Sequence, residues 1–583
     1  MKTIRIYVSV NGRSETLSVL AGRSLLDSLR DGGYRLNALC ARLGRCGACA
    51  VRLTGGHIDI SDADRACFSE ARLEAGWRLS CAAYPTDDIS VEIPDSGEDR
   101  LQGMVTFQQN PKGTNVLEIK ELRLAKEKKS FSEQVAGDEE LSPDLSRDIG
   151  RIASEAEPLA ERAGEKLIYA AKYDRAFVKV SATRPELYAV GVDIGTTTVG
   201  MVLINLKEGS VVAHLSFVNK QREYGADVIS RIAKSKEDGP GILSAIIRNQ
   251  IEEGVERLCR DQMVPTESVV RIAITGNTTM LHLFWGFPCD SLGSYPFTPV
   301  SLGWLKARYN QVFQGKLDCD IVSLPGISAY IGADIAAGLL YLGTREREKP
   351  YILLDIGTNG EMALVSAKGI ICASTAAGPA LEGVNISWGT GSVPGAISRV
   401  WLGPSGFETA TIGDETPLGI CGSGVIDSAY CFLRHGVINE SGGFNKGFDP
   451  GGVEIAKTAY GDSISVCQKD IREIQLAKSA VRSGLEILLE REGISYGDLS
   501  ALYIAGGFGY NIDYESAIGI GLIPEETRNK IRLAGNSALG GVTSYLADPG
   551  LKGALDDIIA VAKEFSLSES EEFYDKFISY MSF

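Results

Sequence analysis

The tetrapeptide Asp-Ile-Gly-Thr occurs twice, at 193–196 and 355–358, each time after an apolar run and before another. The first copy stands in LYAVGVDIGTTTVGMVLINL (187–206), the second in YILLDIGTNGEMALVSAKGIICAST (351–375). Each reads as strand, tight polar turn, strand, because short apolar runs bounded by glycine suit buried strands. A single turn of this kind is common in hairpins. Two in equivalent positions predict a duplicated α/β domain with lobes at about 187–350 and 351–583.

Neither turn leads into a helix and no GK[ST] follows, so these are not P-loops. The backbone N–H groups and threonine hydroxyls of such a turn can wrap phosphate oxygens instead. The candidates are Gly195, Thr196, Thr197 and Thr198 in the first turn, and Gly357, Thr358 and Asn359 in the second. Asp193 and Asp355 end the strands, where each can hold a hydrated Mg2+, an ion that keeps several of its waters. Asp355 or Glu361 is placed to orient an attacking water. Two glycine segments follow. LGICGSGVIDSAYCFL (418–433) predicts a helix opened at Gly422, Ser423 and Gly424, a seat for an anionic or ribose group. LSALYIAGGFGYNID (499–513) predicts a buried strand ending at Gly506, Gly507 and Gly509, where a planar base can lie on bare backbone. The order DIGTTT, DIGTNGE, CGSG, AGGFG resembles the actin–Hsp70–sugar kinase superfamily of ATPases. That resemblance implies ATP clamped between two lobes.

The N-terminal stretch has a different chemistry. LNALCARLGRCGACAVRL (36–53) places Cys40, Cys46 and Cys49 among small residues, and Cys81 follows in WRLSCAAYP. A structural zinc site usually pairs CxxC with a second CxxC or with histidines, and His57 is the only histidine nearby. Three thiolates from one glycine-rich turn and a fourth from a distant strand end suit an iron–sulfur cluster, whose sulfides need close backbone N–H groups. Residues 3–10 and 15–20 read as a hairpin, 24–32 as a short helix, and 50–54 and 89–93 as strands. Residues 1–95 resemble the 2Fe–2S ferredoxin family, which implies a β-grasp fold and a cluster on Cys40, Cys46, Cys49 and Cys81. The other eight of the twelve cysteines are scattered, as small buried hydrophobes would be.

At 583 residues the chain exceeds one core. Its net charge of −16 leaves no basic surplus for nucleic acid. The N-terminus lacks the apolar core of a secretory signal and no window is long and apolar enough to span a membrane, so a cytoplasmic protein is expected. Residues 96–186 are rich in both charge signs and read as a linker followed by a small helical module, with Leu145, Ile149, Ile152 and Leu159 at helical spacing.

A ferredoxin domain fused to such an ATPase resembles the reductive activators of corrinoid-dependent proteins. The strings NKQREYGADVISRI (219–232), ITGNTTMLHLFWG (274–286), STAAGPALEG (374–383) and CQKDIREIQLAKSAVRSG (467–484) look like that family. The resemblance implies ATP-dependent transfer of one electron from the cluster to Co(II) of a corrinoid protein, which regenerates Co(I) for methyl transfer. It also implies an unidentified low-potential donor and dimerisation. Residues 374–383 would face the corrinoid, with Ser374 or Thr375 nearest the cobalt. The four histidines of the chain include no DxHxxG, so no resident cobalamin is expected. Three other readings stay open: a small-metabolite kinase with a redox-sensing ferredoxin domain, a non-enzymatic electron shuttle, and a radical-generating activator.

Overall fold

In TIRIYVSV, Ile4, Ile6 and Val8 are buried while Thr3, Arg5 and Tyr7 face out, the period-two pattern of a half-buried strand. This strand, β1 (Thr3–Val10), pairs antiparallel with β2 (Arg13–Leu20) and parallel with β5 (Ile89–Glu92). With β3 (Ala50–Gly55) and β4 (Trp77–Leu79) the sheet runs β2-β1-β5-β3-β4. The helix Leu25–Asp31 closes it, burying Leu25, Leu26 and Leu29 against Ile6, Val51 and Val91. The structure is a computed structural model that describes residues 2–10, 13–32, 34, 49–68, 70–93, 117–124, 166–174, 176–181, 183–315, 317–343, 349–383, 385–404, 406–506 and 512–583.

Three antiparallel strands follow: β6 (Leu117–Leu124), β7 (Lys166–Tyr173) and β8 (Ala176–Ser181), in the order β6-β7-β8. This sheet adds strands that the expected linker and small helical module over 96–186 did not include. Charge falls at 118, 120, 121 and 123 in LEIKELRL and at 166 and 172 in KLIYAAKY, so neither strand shows the strict alternation that would have marked it. Leu145, Ile149, Ile152 and Leu159 lie outside the described residues. Tyr173 fastens the sheet to the larger domain. Its hydroxyl donates to the Leu546 carbonyl at 2.6 Å, and the Arg271 guanidinium lies 4.7 Å over its ring while pairing with Asp174 at 2.7 Å. Tyr173→Phe strands a buried carbonyl and should cost about 1–2 kcal/mol. Chemical denaturation with an unchanged midpoint would contradict that.

The two lobes repeat one plan. In the first, β9 (Tyr188–Ile194), β10 (Thr198–Asn205) and β11 (Ser210–Val218) form an antiparallel meander, and β12 (Val269–Gly276) runs parallel to β9. With β13 (Leu305–Arg308) and β14 (Asp320–Ser323) the order is β11-β10-β9-β12-β14-β13. In the second, β15 (Tyr351–Ile356), β16 (Gly360–Ser366) and β17 (Gly369–Thr375) form the meander. Three short strands, β18 (Ala396–Gly403), β19 (Gly406–Thr411) and β20 (Gly419–Ile420), and the hairpin β21 (Val453–Lys457) with β22 (Ser463–Val466) are inserted. The parallel strands β23 (Ala501–Ala505) and β24 (Ile531–Gly535), with β25 (Ala562–Glu564), complete β24-β23-β15-β16-β17-β25. Each Asp-Ile-Gly-Thr therefore joins the first two strands of its sheet.

Between the sheets lie the helices Ala333–Leu342 and Ser537–Ala547. They approach so closely that a Cβ on Gly541 would stand 2.0 Å from the Ala337 carbonyl oxygen. Ser537–Ala547 comes late in the chain yet packs beneath the first sheet, with Val542 and Leu546 against Ala189 and Val202. The ferredoxin domain rests on the β21–β22 hairpin: the Arg72 guanidinium sits 4.4 Å over Trp77 and 5.1 Å over Tyr460, with Asp462 at 3.7 Å. Among the described residues no helix is long and apolar enough to cross a membrane.

Candidate functional site

The two turns face each other across the interlobe cleft. The first is closed by Gly195 N–H donating to the Thr198 carbonyl at 2.9 Å, the second by Gly357 N–H donating to the Asn359 carbonyl at 2.9 Å. A Cβ on Gly195 would lie 2.6 Å from the Thr198 oxygen, so the first turn admits only glycine there. Thr197 Oγ1 and Thr358 Oγ1, one from each lobe, stand 3.5 Å apart.

Residues flagged only as family-like strings hold the first turn. Asn219 Nδ2 donates to the Gly195 carbonyl at 2.8 Å, and its N–H donates to the Thr197 carbonyl at 2.9 Å. Asn277 Nδ2 donates to Thr196 Oγ1 at 3.0 Å. The fully buried Arg231 donates to the Thr196 carbonyl, and to that of Gly225 at 3.0 Å. The carbonyls of Gly195, Thr196 and Thr197 are thereby satisfied. Asn219 and Asn277 also cap the elements they begin, through Gln221 N–H and Met280 N–H.

Carboxylates crowd the cleft. Asp193 and Asp355 end β9 and β15, and Glu361 begins β16, directly opposite Asp355 in register. Asp334, from the start of the helix Ala333–Leu342, and Glu382 join them and were missed from sequence. The one sequence signal for Asp334 is a small-residue helix start, GADIAAG; Glu382 lies in the family-like string STAAGPALEG, which was expected to face the corrinoid and not this cleft. Burial pushes Asp193 up to about 7, opposed by a 2.8 Å hydrogen bond from Asn536 Nδ2. Burial, then the charges of Asp334, Asp193 and Glu382, pushes Asp355 up to about 8. Burial lifts Asp334 to about 6 and Glu361 well above the usual range, the latter opposed by Asn359 Nδ2 at 3.3 Å. Among the described residues no cation offsets this charge, and no three ligating groups meet closely enough to hold a bare ion. The donor set fits a hydrated divalent cation with a polyphosphate, which would supply the missing positive charge.

A pH dependence follows. A carboxyl held above its unfolded value of about 4 keeps its proton longer in the folded state, so rising pH removes stability between pH 4 and the folded value. The nucleotide-free protein should therefore unfold at falling temperature as pH rises toward about 8. Calorimetry across that window would show the reverse trend if these carboxylates were paired.

The glycine segments divide. Gly506, at φ +93, backs onto β15: a Cβ there would lie 2.6 Å from Asp355 Oδ1. Gly507 and Gly509 lie outside the described residues. Gly422, Ser423 and Gly424 open the helix Gly422–Arg434 as expected, but all three are buried. A Cβ on Gly424 would stand 2.2 Å from the Ile397 carbonyl oxygen, so close packing on β18 already requires glycine there. In the ferredoxin domain Cys49 and Cys81 are both buried, and Ser80 ties them together by donating N–H and Oγ to the Cys49 carbonyl at 3.1 and 2.8 Å. Two of the four expected thiols are thus brought to one corner of the sheet, a donor set that suits a cluster. Cys40 and Cys46 lie outside the described residues. Within 374–383, Ser374 pairs opposite Glu361, Thr375 is buried, and Glu382 points into the cleft.

Comparison with known proteins agrees with this architecture. Residues 8–86 match the family described as the 2Fe-2S iron-sulfur cluster binding domain, 188–347 the RACo middle region, and 349–583 the C-terminal domain of RACo, the ASKHA domain. The chain is 32% identical over 429 residues to the corrinoid activation enzyme RamQ of Eubacterium limosum, covering 69% of this chain and 71% of that one. It is 27% identical over 434 residues to the [Co(II) methylated amine-specific corrinoid protein] reductase of Methanosarcina barkeri, covering 68% and 77%. A solved structure titled "Reductive activator for corrinoid,iron-sulfur protein" superposes with a TM-score of 0.72 over 99% of this chain and 98% of that one, at 24% identity.

Proposed function

Because this chain belongs to the family of reductive activators of corrinoid proteins, we propose that it reduces the Co(II) form of a corrinoid protein to Co(I) at the expense of ATP, in the cytoplasm. The observation that carries this proposal is the pairing of two threonine hydroxyls, one from each lobe, by a nest of carboxylates with no counter-cation among the described residues. Such a site is unfavourable when empty and favourable with a magnesium polyphosphate.

Each residue then has a task. Thr197 and Thr358, with the N–H groups of their turns, take the phosphate oxygens. Asp193 and Asp355 hold Mg2+ through its waters, and Asn536 fixes the orientation of Asp193. Glu361, whose raised affinity for a proton suits a general base, or Asp355 orients the attacking water. Gly506 lets its strand end pack against Asp355, and Gly507 and Gly509 beyond it would leave room for the nucleoside. Cys40, Cys46, Cys49 and Cys81 hold the 2Fe–2S cluster, which when loaded supplies one electron at a time. A ferredoxin-type cluster works near −400 mV, and each 100 mV of shortfall against a lower-potential acceptor is about 2.3 kcal/mol per electron. ATP binding that changes the fit between the lobes and the partner can make up such a difference through conformation alone, with no phosphoryl group reaching a product.

The test is anaerobic. Reconstituted protein, a low-potential reductant, MgATP and a Co(II) corrinoid protein are mixed, and the visible spectrum is followed for Co(I). Co(I) should form with ATP and not without it. Equal formation without ATP would favour an electron shuttle, and ATP turnover driven by polyols would favour a kinase.

A further inference from the structure

Glu382 holds the two turns together. One of its oxygens, Oε2, accepts hydrogen bonds from Thr197 Oγ1 at 3.0 Å and from Thr358 Oγ1 at 2.8 Å. A single anionic oxygen, gripped by one hydroxyl from each lobe, is what a phosphoryl oxygen would be in the same place. Building on the nucleotide-clamp reading above, we propose that Glu382 occupies the terminal-phosphate position in the nucleotide-free protein and must leave when a nucleoside triphosphate enters. Glu382 thereby sets the discrimination between tri- and diphosphate.

Displacement follows from donor counting. Each threonine hydroxyl has one proton to donate, so it cannot serve Glu382 and a phosphate oxygen together. Two anions at hydrogen-bond spacing also repel strongly in a part-buried cleft. A diphosphate that stops short of the threonine pair leaves Glu382 in place.

The surroundings give the released carboxylate a route to the rest of the lobe. Glu382 ends the short 3-10 turn Pro379–Glu382, in which Ala380 and Leu381 are buried in the core of the second lobe. Gly383 follows at φ +79, its backbone against Thr390. Beyond it, Ser387 N–H and Oγ donate to Asp470 Oδ1 at 2.8 and 2.9 Å, fastening the chain to the start of the helix Gln468–Glu492. The turn is thus pinned on its apolar side and downstream, and Glu382 is its link to the first lobe through Thr197. Exchange of Glu382 for a phosphate transfers that interlobe link from protein to ligand.

Calorimetric titration of wild type, Glu382→Gln and Glu382→Ala with MgADP and with a magnesium complex of a non-hydrolysable ATP analogue tests this. The analogue should bind about tenfold tighter to Glu382→Ala, with Glu382→Gln in between, and MgADP should stay within about twofold of wild type. The gain should shrink when Thr197 and Thr358 are both valine, because the competition runs through those hydroxyls. In wild-type protein the analogue, and not ADP, should speed amide exchange across 380–390. Equal tightening of both nucleotides would mark Glu382 as a bystander charge, and weaker analogue binding would mark it as a holder of the bound metal; either overturns the proposal, as does unaltered exchange. If wild type bound neither nucleotide, the clamp reading itself would fall.

Discussion

Asp355→Asn abolishes ATP-supported reduction of the corrinoid protein, by at least about a hundredfold, and leaves the visible spectrum of the ferredoxin domain unchanged. Asp355 ends β15 in the cleft, where Gly506 closes behind it. The amide keeps the shape but loses the charge that would hold the waters of Mg2+. It also removes the carboxylate that burial, and then the neighbouring charges, push up to about 8. The nucleotide-free variant should therefore be as stable as wild type or more so at neutral pH. What it should lose is stabilisation by ligand, worth about 2.7 kcal/mol at a hundredfold excess over Kd. Thermal shifts with and without MgATP separate these effects. A variant that keeps the full nucleotide-dependent shift would remove Asp355 from the site.

Cys81→Ala and Cys49→Ala each leave the N-terminal domain without its cluster, and reduction falls by about a hundredfold or more because no carrier remains. Most of the β-grasp core lies in other side chains than these two buried cysteines: Leu25, Leu26 and Leu29 pack on Ile6, Val51 and Val91, and Leu26 N–H donates to the Ser80 carbonyl at 2.9 Å. Iron and sulfide assay with circular dichroism would read both consequences. Retention of near-stoichiometric iron and sulfide in either variant would exclude that cysteine as a ligand.

The strand–turn–strand units of both lobes were legible because their signal is local. Each needs a buried strand, a glycine that permits a tight turn, and hydroxyls at fixed offsets, all within about ten residues. The ferredoxin hairpin, its helix and the cysteine spacing were legible for the same reason. Asp334, Glu382 and Asn536 were not. Each sits at a helix terminus remote from both turns in sequence, and nothing in GADIAAG, PALEG or AGNSALG says which cleft the element will face. The middle sheet escaped notice because β6 and β7 are separated by forty-one residues, from 125 to 165, and strand pairing over such a distance leaves no periodic mark.

From sequence alone came the chemistry on offer: four thiols spaced for a cluster, two phosphate turns, two acidic strand ends, and a duplication that implied two lobes. Only the tertiary structure decided which groups share a cleft, that its carboxylates lack a counter-charge among the described residues, and that Glu382 spans the pair of threonines. The physical reason is that turn geometry depends on neighbouring dihedrals, whereas charge proximity depends on how two sheets and the helices between them pack.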